Sequence, residues 1–327
     1  MFRRLILAAV LVSVVATVPA PSGFGQDDDG RRSFTDHEVP RGEHRIYARE
    51  YPGEDPPFVL MHGFPDNTRL YDRLVPELTD RRVIVFDFLG WGQSDKPRDH
   101  PYTFANQTED LDAVIEYFDL PQASLVAHDA AGPAAVNWAL DHPDRTAALT
   151  LMNAFYAPTP TTRPPALIAL FILAAFGGPV LGVDLTSNFA ALSEQVTQPE
   201  TFRRLFTWQE RQFFSRRSDA DHFIPLFFRQ FAGRNSSREP LLALTGDSIT
   251  AVGGNAGRVP ELASFPRPVR LIWGEQDPDL NTGVAQTFHA ASPTSELFVL
   301  PDAHHNLQID EPERVAELLL TIPASGP

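Results

Sequence analysis

The stretch LVAHDAAGP, residues 125–133, is a strand-length apolar run that ends in an acid and passes at once into small residues. It reads as a strand that turns sharply into a helix. A turn that tight leaves no room for large side chains, and Ala127, Ala131 and Gly132 supply small ones on both sides of it. The arrangement has the form of a nucleophile elbow, G-x-S-x-G, with Asp129 in the serine position. A carboxylate there is ionised at neutral pH without help from a base. It can attack an electrophilic carbon and become an ester of the protein.

Around that turn, strand-length apolar runs alternate with helical patterns. Residues 58–63, 82–88, 123–129, 147–153, 269–274 and 295–301 read as strands. DNTRLYDRLVPELTD (66–80), 103–118 and 130–142 read as helices, the second with Phe104, Leu111, Val114, Ile115 and Phe118 on one face. Buried strands separated by amphipathic helices imply an α/β fold, a mainly parallel central sheet with helices on both faces. Residues 155–245 break the rhythm: they are rich in Pro, Phe and Arg and hold no convincing strand. They read as a helical cap insertion between core segments 26–154 and 246–327, covering the carboxyl edge of the sheet. Within them, ALIALFILAAF (166–176) is a strongly apolar run, read as a cap helix packed on the core, as a lining of the substrate pocket or as a surface that touches membrane.

Arg3 and Arg4 precede an apolar run from Leu5 to Val18 and then small and polar residues. That order is the pattern of an export signal over 1–25, with Gly25 as one cleavage point, and an uncleaved anchor is the alternative. The expected location is outside the cell or in its envelope, with membrane contact only through a retained N-terminal segment. The net charge of −15, with no basic cluster standing out, argues against nucleic acid as a partner. With no cysteine, zinc-thiolate sites, disulfides and thiol catalysis drop out together.

Three further segments fall at strand ends. HGFPD (62–66) carries Gly63, which lets the chain turn so that the N–H of Phe64 can join that of Ala130 in an oxyanion hole. WGEQDPD (273–279) offers Asp277 to orient a histidine, and DAHHNLQIDEP (302–312) offers His304 and His305. Asp87, in DFLGWGQSDKP, reads as part of a structural turn, and Ser94 lacks the glycine two residues on that a serine elbow needs.

Together these segments resemble the α/β-hydrolase superfamily, in its aspartate-nucleophile branch of haloalkane dehalogenases, haloacetate dehalogenases and epoxide hydrolases. HGFPDN is similar to the epoxide hydrolase and haloacetate dehalogenase form, and DFLGWGQSDKP with YTF to the haloalkane dehalogenase form. HHNLQIDEP resembles the G-H-F-x-Q-E block, which implies His305 as the base. Asn153 stands where some dehalogenases carry their acid, which favours Asp277 for that role. The resemblance implies an α/β-hydrolase fold and a triad of Asp129, Asp277 and His305. It implies a small-molecule substrate, and neither metal nor organic cofactor.

The departures concern the leaving group. Ala130 replaces the tryptophan that usually follows the nucleophile, and Phe64 lacks the side-chain donor of many dehalogenases. Tyr156 is the last tyrosine, so the paired cap tyrosines of epoxide hydrolases have no counterpart beyond it. Trp208 and His222 are the substitutes expected to face the substrate. Carbon–halogen hydrolysis is the leading reading, epoxide hydrolysis its rival, and a ligand-binding protein without turnover a third.

Overall fold

The computed structural model describes residues 32–166, 168–169 and 198–322. The expected export segment and most of the apolar run 166–176 lie outside the described residues. Eight strands form one sheet: β1 (Thr35–Arg41), β2 (His44–Tyr51), β3 (Glu54–Met61), β4 (Arg81–Phe86), β5 (Ala123–His128), β6 (Thr146–Met152), β7 (Val269–Gly274) and β8 (Glu296–Leu300). Their order across the sheet is β1-β2-β4-β3-β5-β6-β7-β8. Every pairing from β4 through to β8 is parallel, and only β1–β2 and β2–β4 are antiparallel. Every residue of β5, β6 and β7 is buried, as expected where helices cover both faces of a parallel sheet.

The β1–β2 hairpin has no counterpart in the sequence reading, because its exposed edge strand carries few apolar residues. Its turn is fixed by Gly42, whose φ of +62° suits glycine. The helix expected over 66–80 is also absent. Two single 3-10 turns, Thr68–Tyr71 and Val75–Glu77, stand there instead. Pro76 is the cause: it has no N–H for the helical ladder, and its ring collides with the carbonyl four residues earlier.

Helices α1 (Phe104–Tyr117) and α2 (Gly132–Asp141) flank the central strands. Between β6 and β7 lie α3 (Pro199–Glu210), α4 (Arg217–Phe228) and α5 (Arg238–Asn255). One continuous helix, α5, therefore runs across position 245, where the insertion was expected to end. An aromatic cluster holds α3 against α4 and the turn that follows it. Phe202 meets Phe231 with ring centroids 5.0 Å apart, and Phe206 meets Phe231 at 5.5 Å. Burying each such ring contributes about 2 kcal/mol. After β7 the described residues continue through α6 (Thr282–Ala291), β8, a single helical turn at Leu307–Asp310 and α7 (Pro312–Leu320).

Candidate active site

Five neighbouring parallel strands each end beside the same point. β3 leads to Gly63 and Phe64, β5 to Asp129, β6 to Asn153, β7 to Asp277 and β8 to His305. The carboxyl edge of a parallel sheet is where such a fold leaves its crevice.

Asp129 opens a 3-10 turn that runs directly into α2, and its φ is +49°. Aspartate tolerates this left-handed conformation better than most residues. The turn is tight enough that a Cβ at position 132 would lie 2.1 Å from the carbonyl oxygen of Phe155. Gly132→Ala is therefore expected to cost about 3 kcal/mol or more, since the obstacle is backbone and cannot rotate away. Thermal denaturation should show a Tm lower by roughly 6 °C or more. Gly63 meets a similar constraint, because a Cβ there would lie 2.7 Å from Cβ of Asp129.

That close approach aims the N–H of Phe64 at the carboxylate, where it donates to Oδ2 of Asp129 at 2.9 Å. The N–H of Ala130 donates to the same side chain. One of the donors expected to form an oxyanion hole, the Phe64 N–H, thus already holds one oxygen of Asp129. In an ester of Asp129 formed through the other oxygen, the held atom would be the carbonyl oxygen. It is the atom that takes negative charge when water attacks.

His305 donates from Nδ1 to Oδ2 of Asp277 at 2.7 Å. Asp277 is fixed in turn by the N–H groups of Asp279 (2.9 Å) and Leu280 (3.0 Å) on Oδ1, and by Nδ2 of Asn153 on Oδ2 at 2.6 Å. Asn153 is oriented by the N–H of Gly274, which donates to its Oδ1 at 2.8 Å. The asparagine that seemed only to lack an acid is a donor to the acid that is present. The His305 ring packs on Phe213 and on His128, with centroids 4.5 Å and 4.6 Å away. His128 Nε2 donates to the His305 carbonyl at 3.0 Å, which ties the elbow strand to the histidine loop.

Burial opposes charge on all these groups, and their mutual attraction decides the outcome. Burial alone would lower the His305 pKa, but Asp277, Asp129 and Asp66 outweigh it and push it up to about 10. Asp277 is buried too, which would raise it, yet His305 and the backbone donors hold it below its ordinary value. Asp129 is raised by burial, with His305 and the two N–H groups working against the rise.

Two more buried carboxyls stand close by, and neither was singled out from the sequence. Asp66 has its Oδ2 3.8 Å from His128 Nδ1, and Glu210 sits at the end of α3. Neither side chain has a hydrogen-bond partner among the described residues. Burial, then repulsion from Asp129, raises Asp66. Burial, then repulsion from Asp66, raises Glu210 well above its usual range. Glu210, raised this far, adds no charge near neutral pH, and the negative charge beside the imidazolium comes from Asp277, Asp129 and, when ionised, Asp66.

Asp129 and His305 open onto a cavity of about 270 Å³ lined mainly by apolar groups, among them Phe64, Ala130, Phe155 and Leu244. The cavity suits an apolar small molecule. Trp208 and His222 do not line it. Trp208 is 55% exposed on the outer face of α3, and His222 is exposed on α4. This corrects the expectation that they face the substrate: on both helices the inward positions are taken by phenylalanines, and these two residues point the other way. Asp87 is a structural residue, accepting from the N–H groups of Thr68 and Gln93 at 2.7 Å and 2.8 Å. Among the described residues no group of three or more His, Asp or Glu is placed to hold a metal ion.

A family model described as alpha/beta hydrolase fold matches residues 56–312. A haloalkane dehalogenase of Mycolicibacterium paratuberculosis is 26% identical over 280 residues, covering 84% of this chain and 86% of that one. A cis-3-alkyl-4-alkyloxetan-2-one decarboxylase of Shewanella oneidensis is 28% identical over 291 residues, covering 86% of each. Among solved structures, a haloalkane dehalogenase variant from Agrobacterium tumefaciens C58 superposes with a TM-score of 0.67 at 22% identity, over 89% of this chain and 96% of that one. An epoxide hydrolase without ligand does so at 0.68 and 19% identity, over 88% and 98%.

Proposed function

The chain belongs to the alpha/beta hydrolase family, and from that premise we propose that it hydrolyses a small or medium apolar electrophile through an ester of Asp129. The observation that carries the reading is the held carboxylate: one oxygen of Asp129 is fixed by the Phe64 N–H while the side chain borders an apolar cavity that His305 also lines. In the first step Asp129 attacks a saturated carbon and the leaving group departs with its bonding electrons. In the second, His305 takes a proton from water, and the hydroxide attacks the ester carbonyl. The Phe64 and Ala130 N–H groups then steady the oxyanion, and collapse returns the Asp129 carboxylate and releases the alcohol.

Carbon–halogen hydrolysis is the first substrate reading, supported by the dehalogenase relatives and the DFLGWGQSDKP segment. A strained ring whose leaving atom is oxygen is the second, and a specific observation favours it. The cavity has no indole or amide side chain beside Asp129 to take a departing halide, among the described residues that line it. It does have His305, which carries a proton in the resting state. That proton can pass to a ring oxygen as the ring opens, leaving His305 neutral and ready to accept one from water. Epoxides fit this description, as does the four-membered lactone ring in the name of the Shewanella relative.

Incubating His305→Ala with a bromoalkane, an epoxide and a β-lactone, and weighing the peptide that contains Asp129, separates these readings. The variant should form the bromoalkane ester, which needs no acid, and fail to hydrolyse it. Because it also lacks the proton for a ring oxygen, wild-type protein quenched within its first turnover is weighed beside it for the two ring substrates. An alkyl adduct indicates a dehalogenase, a hydroxyalkyl adduct an epoxide hydrolase, and a carboxyalkyl adduct a lactone-directed enzyme. No adduct of any of the three on the folded variant or on the quenched wild type would refute an ester mechanism on these substrates.

The pH profile carries a further expectation. Ester formation erases the Asp129 charge, so the His305 pKa falls below its resting value of about 10. Below that lowered value, neutral imidazole becomes scarce and ester hydrolysis slows roughly tenfold per pH unit. The pre-steady-state burst should therefore grow as the pH is lowered. A burst that shrinks on acidification would show that His305 is not the base.

A further inference from the structure

We propose that the outer face of the α3–α4 insertion docks on an anionic phospholipid bilayer. The chain has 42 acidic and 27 basic residues, yet this face has the opposite balance. Between positions 199 and 234, α3 exposes Arg203 and Arg204, and Arg211, Arg216, Arg217, Arg229 and Arg234 are exposed after it, against two exposed acids, Glu200 and Asp221. In the sequence these arginines are spread among phenylalanines and form no run, which is why no basic cluster stood out. The fold sorts them: the phenylalanines go inward and the arginines are left outside.

The ion pairs on this face leave charge over. Asp221 accepts from Arg211 at 2.6 Å and lies 3.8 Å from Arg217, Arg203 pairs with Glu200 at 2.9 Å, and Arg216 pairs with Asp219 at 2.8 Å. Arg204, Arg229 and Arg234 have no ion pair among the described residues. A groove of about 370 Å³ is lined by Arg203, Arg211, Arg229 and the Asp221 that pairs with Arg211, together with Ile224 and Phe228. Guanidinium groups bind phosphate oxygens in pairs, and the apolar residues beside them suit the glycerol and first methylenes of a lipid.

Trp208 decides between a bilayer and another polyanion. It lies one turn after Arg204 on α3, 55% exposed, and an indole among arginines is the side-chain set of a membrane interface rather than of a phosphate backbone groove. The placement also serves the site. The inner face of α3 holds Phe202, whose ring meets Phe231; Phe231 meets Trp91 at 6.5 Å, and Trp91 meets Phe64 at 5.3 Å. Docking through α3 would hold the apolar cavity within a few side chains of the bilayer in which an apolar substrate dissolves.

The other three tryptophans, Trp91, Trp138 and Trp273, are buried at 1% exposure or less, so a change in emission on docking reports Trp208. The full chain is mixed with phosphatidylcholine vesicles, with or without phosphatidylglycerol, at low and high salt. A blue shift and co-sedimentation with the anionic vesicles alone, both lost at high salt, are expected. The triple variant Arg204→Gln/Arg229→Gln/Arg234→Gln should bind them about a hundredfold more weakly. Trp208→Phe should remove the shift and leave the fold intact by circular dichroism. An unchanged emission, equal binding by the triple variant, or binding to duplex DNA as tight as to the vesicles would overturn the proposal.

Discussion

Asp129→Asn is expected to lower turnover by at least about 10⁴-fold, because Asp129 is the carboxyl that the Phe64 N–H holds where the cavity meets His305. Asparagine is the informative replacement. It tolerates the left-handed backbone at this position, φ +49°, whereas alanine would add strain to the loss of the carboxylate. Its amide oxygen can still accept from the N–H of Phe64, which now lies 2.9 Å from Asp129 Oδ2. The elbow should keep its shape, and KM should move only a few-fold while kcat collapses. Mass measurement of the peptide guards against deamidation, which would restore aspartate. An undeamidated sample retaining a tenth or more of wild-type turnover would dismiss Asp129 as the nucleophile and point to water activated directly by His305.

The elbow was legible because its constraints are local. A buried strand, an abrupt turn and small flanking residues have to follow one another in the chain, and they do so from Leu125 to Gly132. Asp277 and His305 were legible for a related reason, since each closes a buried strand and the parallel sheet brings strand ends together. What escaped depends on contacts remote in sequence. Asp66 and Glu210 look like ordinary surface acids until burial is known; the position of Asp66 beside HGFP was the one signal available. The Asn153 amide is meaningful only next to Asp277, from which it is separated by the whole insertion. Trp208 and His222 went the other way. Their chemistry suggested the pocket, but periodicity on α3 gives the inner face to Phe202 and Phe206, and Trp208 falls outside it. The helix expected over 66–80 failed for one residue, Pro76, whose effect was local and visible.

Asp277→Asn is expected to leave ester formation nearly intact and to slow ester hydrolysis by about 10³- to 10⁴-fold. The hydrogen bonds dictate how the new amide sits. Its oxygen must remain at Oδ1 to accept from the N–H groups of Asp279 and Leu280, at 2.9 Å and 3.0 Å. Its nitrogen then takes the place of Oδ2, 2.7 Å from His305 Nδ1. An amide N–H pointing at Nδ1 forces that atom to accept, so the ring proton moves to Nε2 and the imidazole can no longer take one from water. The same nitrogen would face Nδ2 of Asn153 at 2.6 Å, donor against donor, and Asn153 cannot turn over without losing the Gly274 N–H from its Oδ1. The first turnover should appear as a burst equal to the enzyme concentration, followed by a slow steady state. Moving the acid across the pair, as Asn153→Asp/Asp277→Asn, should recover about tenfold or more of the steady rate, because the two positions are coupled. A double variant no faster than Asp277→Asn would mean that position 277 serves the fold of the loop and not the protonation of His305.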